Sequence, residues 1–213
     1  MDATLCRFLD SVRPRARRTH LATYEDVAAA LDSFLRQRRR TAGSLRTGEL
    51  RSFLAHWYLC HDQLLAGPRA RRLCAALLVL VRWLCRDRPP ERARLLRQEM
   101  RSLARQTTRA ARASDLIERL TPVSWGPAEP VAEDGYWEVL LVGDSHVVVR
   151  GLEARAPVGP IHLPPAVVRA LAPGDILNLL LTRGPQSWHI LEIGPCYPPV
   201  AAPALRTASL TPA

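Results

Sequence analysis

ERARLLRQEMRSLARQTTRAARASDLIERL, residues 91–120, and WEVLLVGDSHVVVR, residues 137–150, decide the fold between them. In the first stretch Leu96, Met100, Leu103, Thr107, Ala110 and Ala111 recur at helical spacing. In the second the period drops to two. Trp137–Val142 reads as a strand, Gly143-Asp144-Ser145 as a turn and His146–Arg150 as the returning strand. Between them Pro122, Gly126, Pro127 and Pro130 break any regular pattern, so residues 120–134 read as a linker. The patterning changes once along the chain, which predicts a helical part followed by an extended part.

Upstream of the first stretch the pattern stays helical. Leu5, Phe8, Leu9 and Val12 share one face of a short helix over Ala3–Val12, which Pro14 ends. Thr23 with Asp26 three residues on suggests a capping box. Tyr24, Val27, Ala28, Leu31, Phe34 and Leu35 then form an apolar stripe. Thr47 is placed to cap a third helix carrying Leu50, Phe53, Leu54 and Trp57. Gly67-Pro68 opens a fourth, with Leu73, Leu77, Leu80 and Leu84 in its core, and Pro89-Pro90 closes it. Downstream, Ile161–Leu163, Ile176–Thr182 and Trp188–Ile193 read as further short strands, with a helical turn at Pro164–Leu171 and a tight turn at Pro173-Gly174-Asp175. Five short strands in so little chain suggest a small barrel. The Ala, Pro and Thr content from Pro198 onward predicts disorder. The expected fold class is therefore α+β and multi-domain. An all-α helical bundle of four to five helices over 1–119 is joined by the linker 120–134 to a small β-barrel over 135–197, with a disordered tail over 198–213.

Charge divides along the same line. The chain carries 30 basic side chains and net charge +10, and every basic residue is arginine. Residues 1–119 hold 25 Arg against 12 acids, whereas residues 120–213 hold 5 Arg against 8. A GC-rich genome can account for arginine over lysine but not for this clustering. Arg94, Arg97, Arg101, Arg105, Arg109 and Arg112 step by three or four along residues 91–120. At 100° per residue they fall within an arc of about 120°, a ridge roughly 27 Å long. Guanidinium is planar, always charged and able to grip phosphate with two hydrogen bonds. Such a ridge can line up with the phosphates of a nucleic acid; a solvated helix face or an acidic protein partner are the other readings. Arg36, Arg38, Arg39 and Arg40 follow one helix and Arg69, Arg71 and Arg72 open another, as secondary candidates for phosphate contact.

The order of the first four helices resembles the N-terminal core-binding (SAM-like) domain of tyrosine recombinases and phage integrases. The residues that carry the resemblance are Phe8-Leu9, then Thr19, Tyr24 and Phe34-Leu35, then Phe53-Leu54 and Trp57, then Arg72-Leu73, Ala76-Leu77, Leu80 and Arg82-Trp83-Leu84. The likeness covers about residues 3–88. It implies a domain that clamps duplex DNA, in the setting of DNA integration and recombination. The family's catalytic domain needs a lysine, an H-x-x-R motif and a nucleophilic tyrosine. The chain has no lysine, and His146 and Arg150 are one residue too far apart for that motif. The resemblance thus implies binding without cleavage. The extended part is similar to small barrels and swapped-hairpin regulators through Ile161-x-Leu163-Pro164 and Leu171-x-Pro173-Gly174-Asp175, and no function is carried over from it.

Other clusters favour plain structural readings. His56 and Cys60, four apart on a helix beside His61, have metal-ligand spacing, but Trp57, Tyr58 and Leu59 around them suit a packed core. Asp144-Ser145-His146 are sequence neighbours, which extended chain points in different directions. The scattered cysteines suggest reduced thiols rather than a disulfide framework. No phosphate-binding glycine loop or dinucleotide fingerprint is present. The expectation is a cytoplasmic, non-catalytic protein that binds double-stranded DNA. No cofactor, metal, membrane or small-molecule substrate is expected, and a recombinase or other protein is a second partner through the barrel. An adaptor whose charge is incidental, or an RNA-binding factor stacking bases on Trp137 and Trp188 of the barrel, are the alternatives.

Overall fold

The computed structural model of the chain describes residues 1–57, 67–121, 132–153, 156–184 and 188–209. Among these residues there are seven α-helices and five β-strands. They divide into two compact units, one within Met1–Thr108 and one from Arg109 onward.

The first unit is helical. Helix α1 spans Ala3–Val12, and the Asp2 carboxylate caps it by accepting from the Thr4 N–H at 2.7 Å. The same side chain accepts from the Ala42 N–H, and the Asp2 N–H donates to Asp32 at 2.7 Å. One aspartate thus ties together α1, helix α2 (Arg18–Gln37) and the 3-10 turn Ala42–Ser44. Helix α2 begins five residues before the expected capping Thr23. Its first bonds run from His20 and Leu21 to the Arg17 carbonyl, while Thr23 Oγ1 donates back to the Thr19 carbonyl at 3.2 Å from inside the helix. The exposed first turn lacks an apolar period, so hydrophobic spacing alone misses it. Helix α3, Thr47–Ser52, is anchored by the Glu49 carboxylate, which accepts from the Arg46 N–H at 2.6 Å, and passes directly into a π-helical turn at Phe53–Trp57. Helices α4 (Gly67–Leu84) and α5 (Pro90–Leu120) follow.

Aromatic side chains fill the unit's core. Phe8 meets Tyr24 and Trp83 edge-on at 5.9 and 5.8 Å, and Phe34 packs on Phe53 at 5.4 Å. Phe8, Phe34 and Phe53 are fully buried with Leu31, Leu50, Leu77, Leu80 and Met100. Burial of each such side chain stabilises by about 1.5–3 kcal/mol. The arginine-rich helix α5 joins this core through Ala93, Leu96, Met100, Leu103 and Thr107.

The second unit is a five-stranded sheet with strands β1 (Ala132–Val142), β2 (His146–Gly151), β3 (Pro157–His162), β4 (Ile176–Arg183) and β5 (Trp188–Tyr197). The hydrogen-bonded order β1-β2-β3-β5-β4 returns to β1, so the sheet is closed. All neighbours are antiparallel except β3 and β5, whose parallel seam is a single registered pair, Ile161 with Trp188, among the described residues. Pro157 and Pro160 leave β3 with two positions that carry no backbone donor. At Gly159, φ is +148° and a Cβ would meet the Val147 carbonyl at 3.1 Å, so glycine is required where β3 passes the β2 bulge. Alternate residues Trp137 and Val139, Val147 and Val149, and Leu177, Leu179 and Leu181 fill the interior. Helix α6, Pro165–Val168, adds Val167 and Val168 to it.

Three expectations shift here. The division expected at 119/120 lies at 108/109, because Ala110, Ala113, Leu116 and Ile117 of α5 belong to the core of the sheet. The expected linker 120–134 lies mostly outside the described residues, and its last three residues already pair with β4. The tail expected to be disordered forms a 3-10 turn at Pro199–Ala201 and helix α7 at Ala202–Ser209. Ala201 and Leu205 are fully buried anchors, which a low-complexity composition hides. Among the described residues no helix is long and apolar enough to cross a membrane.

Candidate nucleic-acid interface

Helix α5 turns one side inward by its apolar spacing, which leaves the other side to its arginines. Arg94, Arg101, Arg105 and Arg112 are exposed, and Arg97 is half-buried. Among the described residues none of these five forms an ion pair with a carboxylate. Glu99, the nearest acid on the helix, is held instead by Arg51 of α3. That pairing leaves the positive potential of Arg94–Arg105 uncompensated.

Arg109 breaks the expected six-residue ridge. Its guanidinium makes a two-pronged contact with the Asp175 carboxylate, one arm at 2.7 Å, and Asp175 is completely buried. Asp175 also accepts from the Ala172 N–H at 2.8 Å, so it shapes the turn and holds the arginine at once. Gly174 beside it has φ of +86°, the conformation that a Pro-Gly-Asp turn needs here. Burial pushes the Asp175 carboxyl above its ordinary value, and the hydrogen bonds from Arg109 and Ala172 oppose that shift. Arg109, itself half-buried, is thereby committed to a carboxylate of the second unit, unlike the other arginines of the row. The exposed ridge of the first unit runs from Arg94 to Arg105, a rise of about 16 Å along the helix.

A surface recess of about 500 Å³ lies beside this ridge, lined by Arg82, Arg94, Arg97, Gln98 and Arg101. Four guanidinium groups from α4 and α5 share it. Arg82 is not among the candidate phosphate contacts from the sequence, because it sits inside the apolar run Leu73–Cys85 and follows no arginine spacing; it enters there only through the resemblance.

The secondary arginines are placed differently. Arg36 pairs with Asp32 at 2.9 Å, Arg40 lies 3.7 Å from Glu49, and Arg38 sits over the Phe34 ring at 4.6 Å. The arginines are exposed, but their partners Asp32, Glu49 and Phe34 are largely or fully buried, so each guanidinium is tethered to the surface of the first unit. Arg39 adopts a positive φ of 52° at the end of α2. Arg69, Arg71 and Arg72 are exposed on the first turns of α4. The structure thus gathers Arg94, Arg97 and Arg101 around one recess and extends them to Arg105. It does not bring the remaining candidates into that cluster within the first unit.

The other clusters yield little chemistry. The side chains of His56, Cys60 and His61 lie outside those described. Among the described residues no group of three or more His, Cys, Asp or Glu could hold a metal ion. Cys74, Cys85 and Cys196 are buried free thiols; burial pushes Cys74 up to about 11 and Cys85 and Cys196 upward as well, so they stay protonated near neutrality. Asp144 and Ser145 lie in the turn before β2, and the Ser145 carbonyl accepts from the Leu163 N–H. His146 begins β2 opposite His162, with ring centroids 6.2 Å apart. Trp137 is buried and donates its indole N–H to the Leu179 carbonyl at 3.0 Å, so it offers no face on which a base could stack. Trp188 packs against the same core.

Comparison with protein-family models, curated proteins and solved structures returns no match to this chain.

Proposed function

We propose that this chain is a non-catalytic, cytoplasmic protein that binds double-stranded DNA through its phosphate backbone. The observation that carries the reading is the row Arg94, Arg97, Arg101 and Arg105 on α5, which faces outward without a carboxylate partner among the described residues. About 16 Å of such a row matches roughly five nucleotide steps of one strand at 3.4 Å each. Like charges at this spacing repel one another unless a polyanion lies along them. The helix order in residues 3–88, similar to a core-binding SAM-like domain, supports duplex DNA as that polyanion. It also suggests a role accessory to DNA recombination or integration. The closed sheet, read as a small β-barrel with a slight acidic excess, suits a protein contact, such as a recombinase, rather than a second nucleic-acid surface. Burial of Trp137 weighs against the RNA-binding alternative.

The test is a titration of duplex DNA across salt concentrations. Four phosphate contacts predict a slope of log K against log [salt] near −3.6, from about 0.9 counterions per contact. Engagement of all thirteen candidate arginines would give about −12. Changing Arg97, Arg101 and Arg105 together to Ala should bring the slope close to −1. Absence of duplex binding at low salt would refute the reading and favour an adaptor.

A further inference from the structure

The arginine row lies on one helix, but the recess beside it is built by two. Arg82 comes from the C-terminal turn of α4, and Arg94, Arg97, Gln98 and Arg101 come from the first half of α5. Within the first unit, these side chains share a concavity of about 500 Å³. The four guanidinium groups make no ion pair among the described residues. A convex row of arginines can touch phosphates only along its crest. A concave cluster surrounds a phosphate from more than one side, and several forked donors can then share its oxygens.

We infer that this recess is the anchoring point of the interface: it seats a phosphodiester of the backbone, with Arg82 as a direct contact from α4 and Gln98 as the neutral donor beside it. The inference rests on the DNA-binding reading and sharpens it. Phosphate contact would be concentrated in a two-helix clamp, with Arg105 at its rim. Arg112, beyond the paired Arg109, would take no part.

Single substitutions in the full chain test this against a duplex probe at low salt. Arg82→Ala should weaken binding about tenfold and reduce the salt slope by about 1, matching Arg97→Ala. Arg86→Ala removes the same charge from the exposed turn just after α4 and should change affinity by less than about twofold. Arg112→Ala should behave like Arg86→Ala. Arg82 is exposed, so circular dichroism and thermal melting of Arg82→Ala should match the parent chain. Sodium tripolyphosphate at matched ionic strength should compete with duplex for the parent chain and about tenfold more weakly for Arg82→Ala. Parental affinity in Arg82→Ala, alongside loss in Arg97→Ala and Arg101→Ala, would overturn the clamp and leave the row intact. Equal losses in Arg82→Ala and Arg86→Ala would reduce the effect to bulk charge and also overturn it. A parent chain that binds no duplex would overturn the DNA-binding reading itself.

Discussion

The α4–α5 face of the first unit and three positions of the second unit use arginine in opposite ways. In the second unit Arg109, Arg119 and Arg150 each meet a carboxylate: Asp175, Asp115 and Glu138. On the α4–α5 face of the first unit, Arg82, Arg94, Arg97 and Arg101 meet none among the described residues. One residue type therefore does structural work where it is neutralised and presents charge where it is not. Net charge alone blurs this difference. Arg109 sits in register with the exposed row on α5, yet it belongs to the second unit by its partner.

The contrast is open to disruption, and the largest effect concerns the boundary. A fragment beginning at Ala132 lacks Ala110, Ala113, Leu116 and Ile117, which pack in the core of the sheet. It should lose cooperative unfolding in urea and bind a hydrophobic dye, whereas a fragment beginning at Arg105 should melt cooperatively. Cooperative unfolding of the shorter fragment would restore the division at 119/120.

Next in size is the buried pair. Asp175→Ala leaves Arg109 without its partner and the Ala172 N–H without an acceptor, and should cost about 3–5 kcal/mol in chemical denaturation. Replacing both partners, Arg109→Met with Asp175→Leu, should recover the part of that loss that comes from the unpaired guanidinium, though not the part from the Ala172 N–H, since a packed apolar pair avoids the desolvation of two charges. Recovery would mark the pair as structural. A matched loss of DNA affinity in a folded Asp175→Ala chain would instead return Arg109 to the interface.

The same pair responds to pH with a definite sign. The folded-state value of Asp175 is raised by burial, so between the ordinary carboxylate value and the raised one the folded chain binds more protons than the unfolded chain. Its contribution to stability is complete below the unfolded value and is lost as pH rises through the folded one. Relative to the Arg109→Met, Asp175→Leu variant, the parent chain should gain stability on acidification through that window. The opposite trend would mean that the guanidinium outweighs burial.

The smallest effect separates buried from exposed pairing. Glu138 and Arg150 are cross-strand neighbours of β1 and β2, joined at 2.9 Å and partly exposed. Glu138→Ala should cost about 0.2–1 kcal/mol, and less at high salt. A loss as large as that of Asp175→Ala would erase the distinction between the two kinds of pair.

Much of this arrangement could be read from residue order. Helix α1 has its expected ends, and the stripe Leu96, Met100, Leu103, Thr107, Ala110 and Ala111 is buried throughout. Such spacing reports which side of a helix faces a core. It cannot report which core, so the spacing assigns α5 to one unit, whereas it serves two. Asp175 in Pro173-Gly174-Asp175 carries a turn signal that is correct and incomplete, because its partner lies 66 residues away. Arg82 gives no charge signal for the converse reason: a single cation inside an apolar run has no spacing of its own. Leu205 in the Ala-rich tail was hidden in the same manner.

The seam between β3 and β5 has a consequence for amide hydrogen exchange. Every other junction of the closed sheet is stitched at several positions, whereas this one holds at Ile161 and Trp188 alone among the described residues. Deuterium should therefore enter the second unit first along β3 and the start of β5, while the β1–β4 ladder keeps its protons longest.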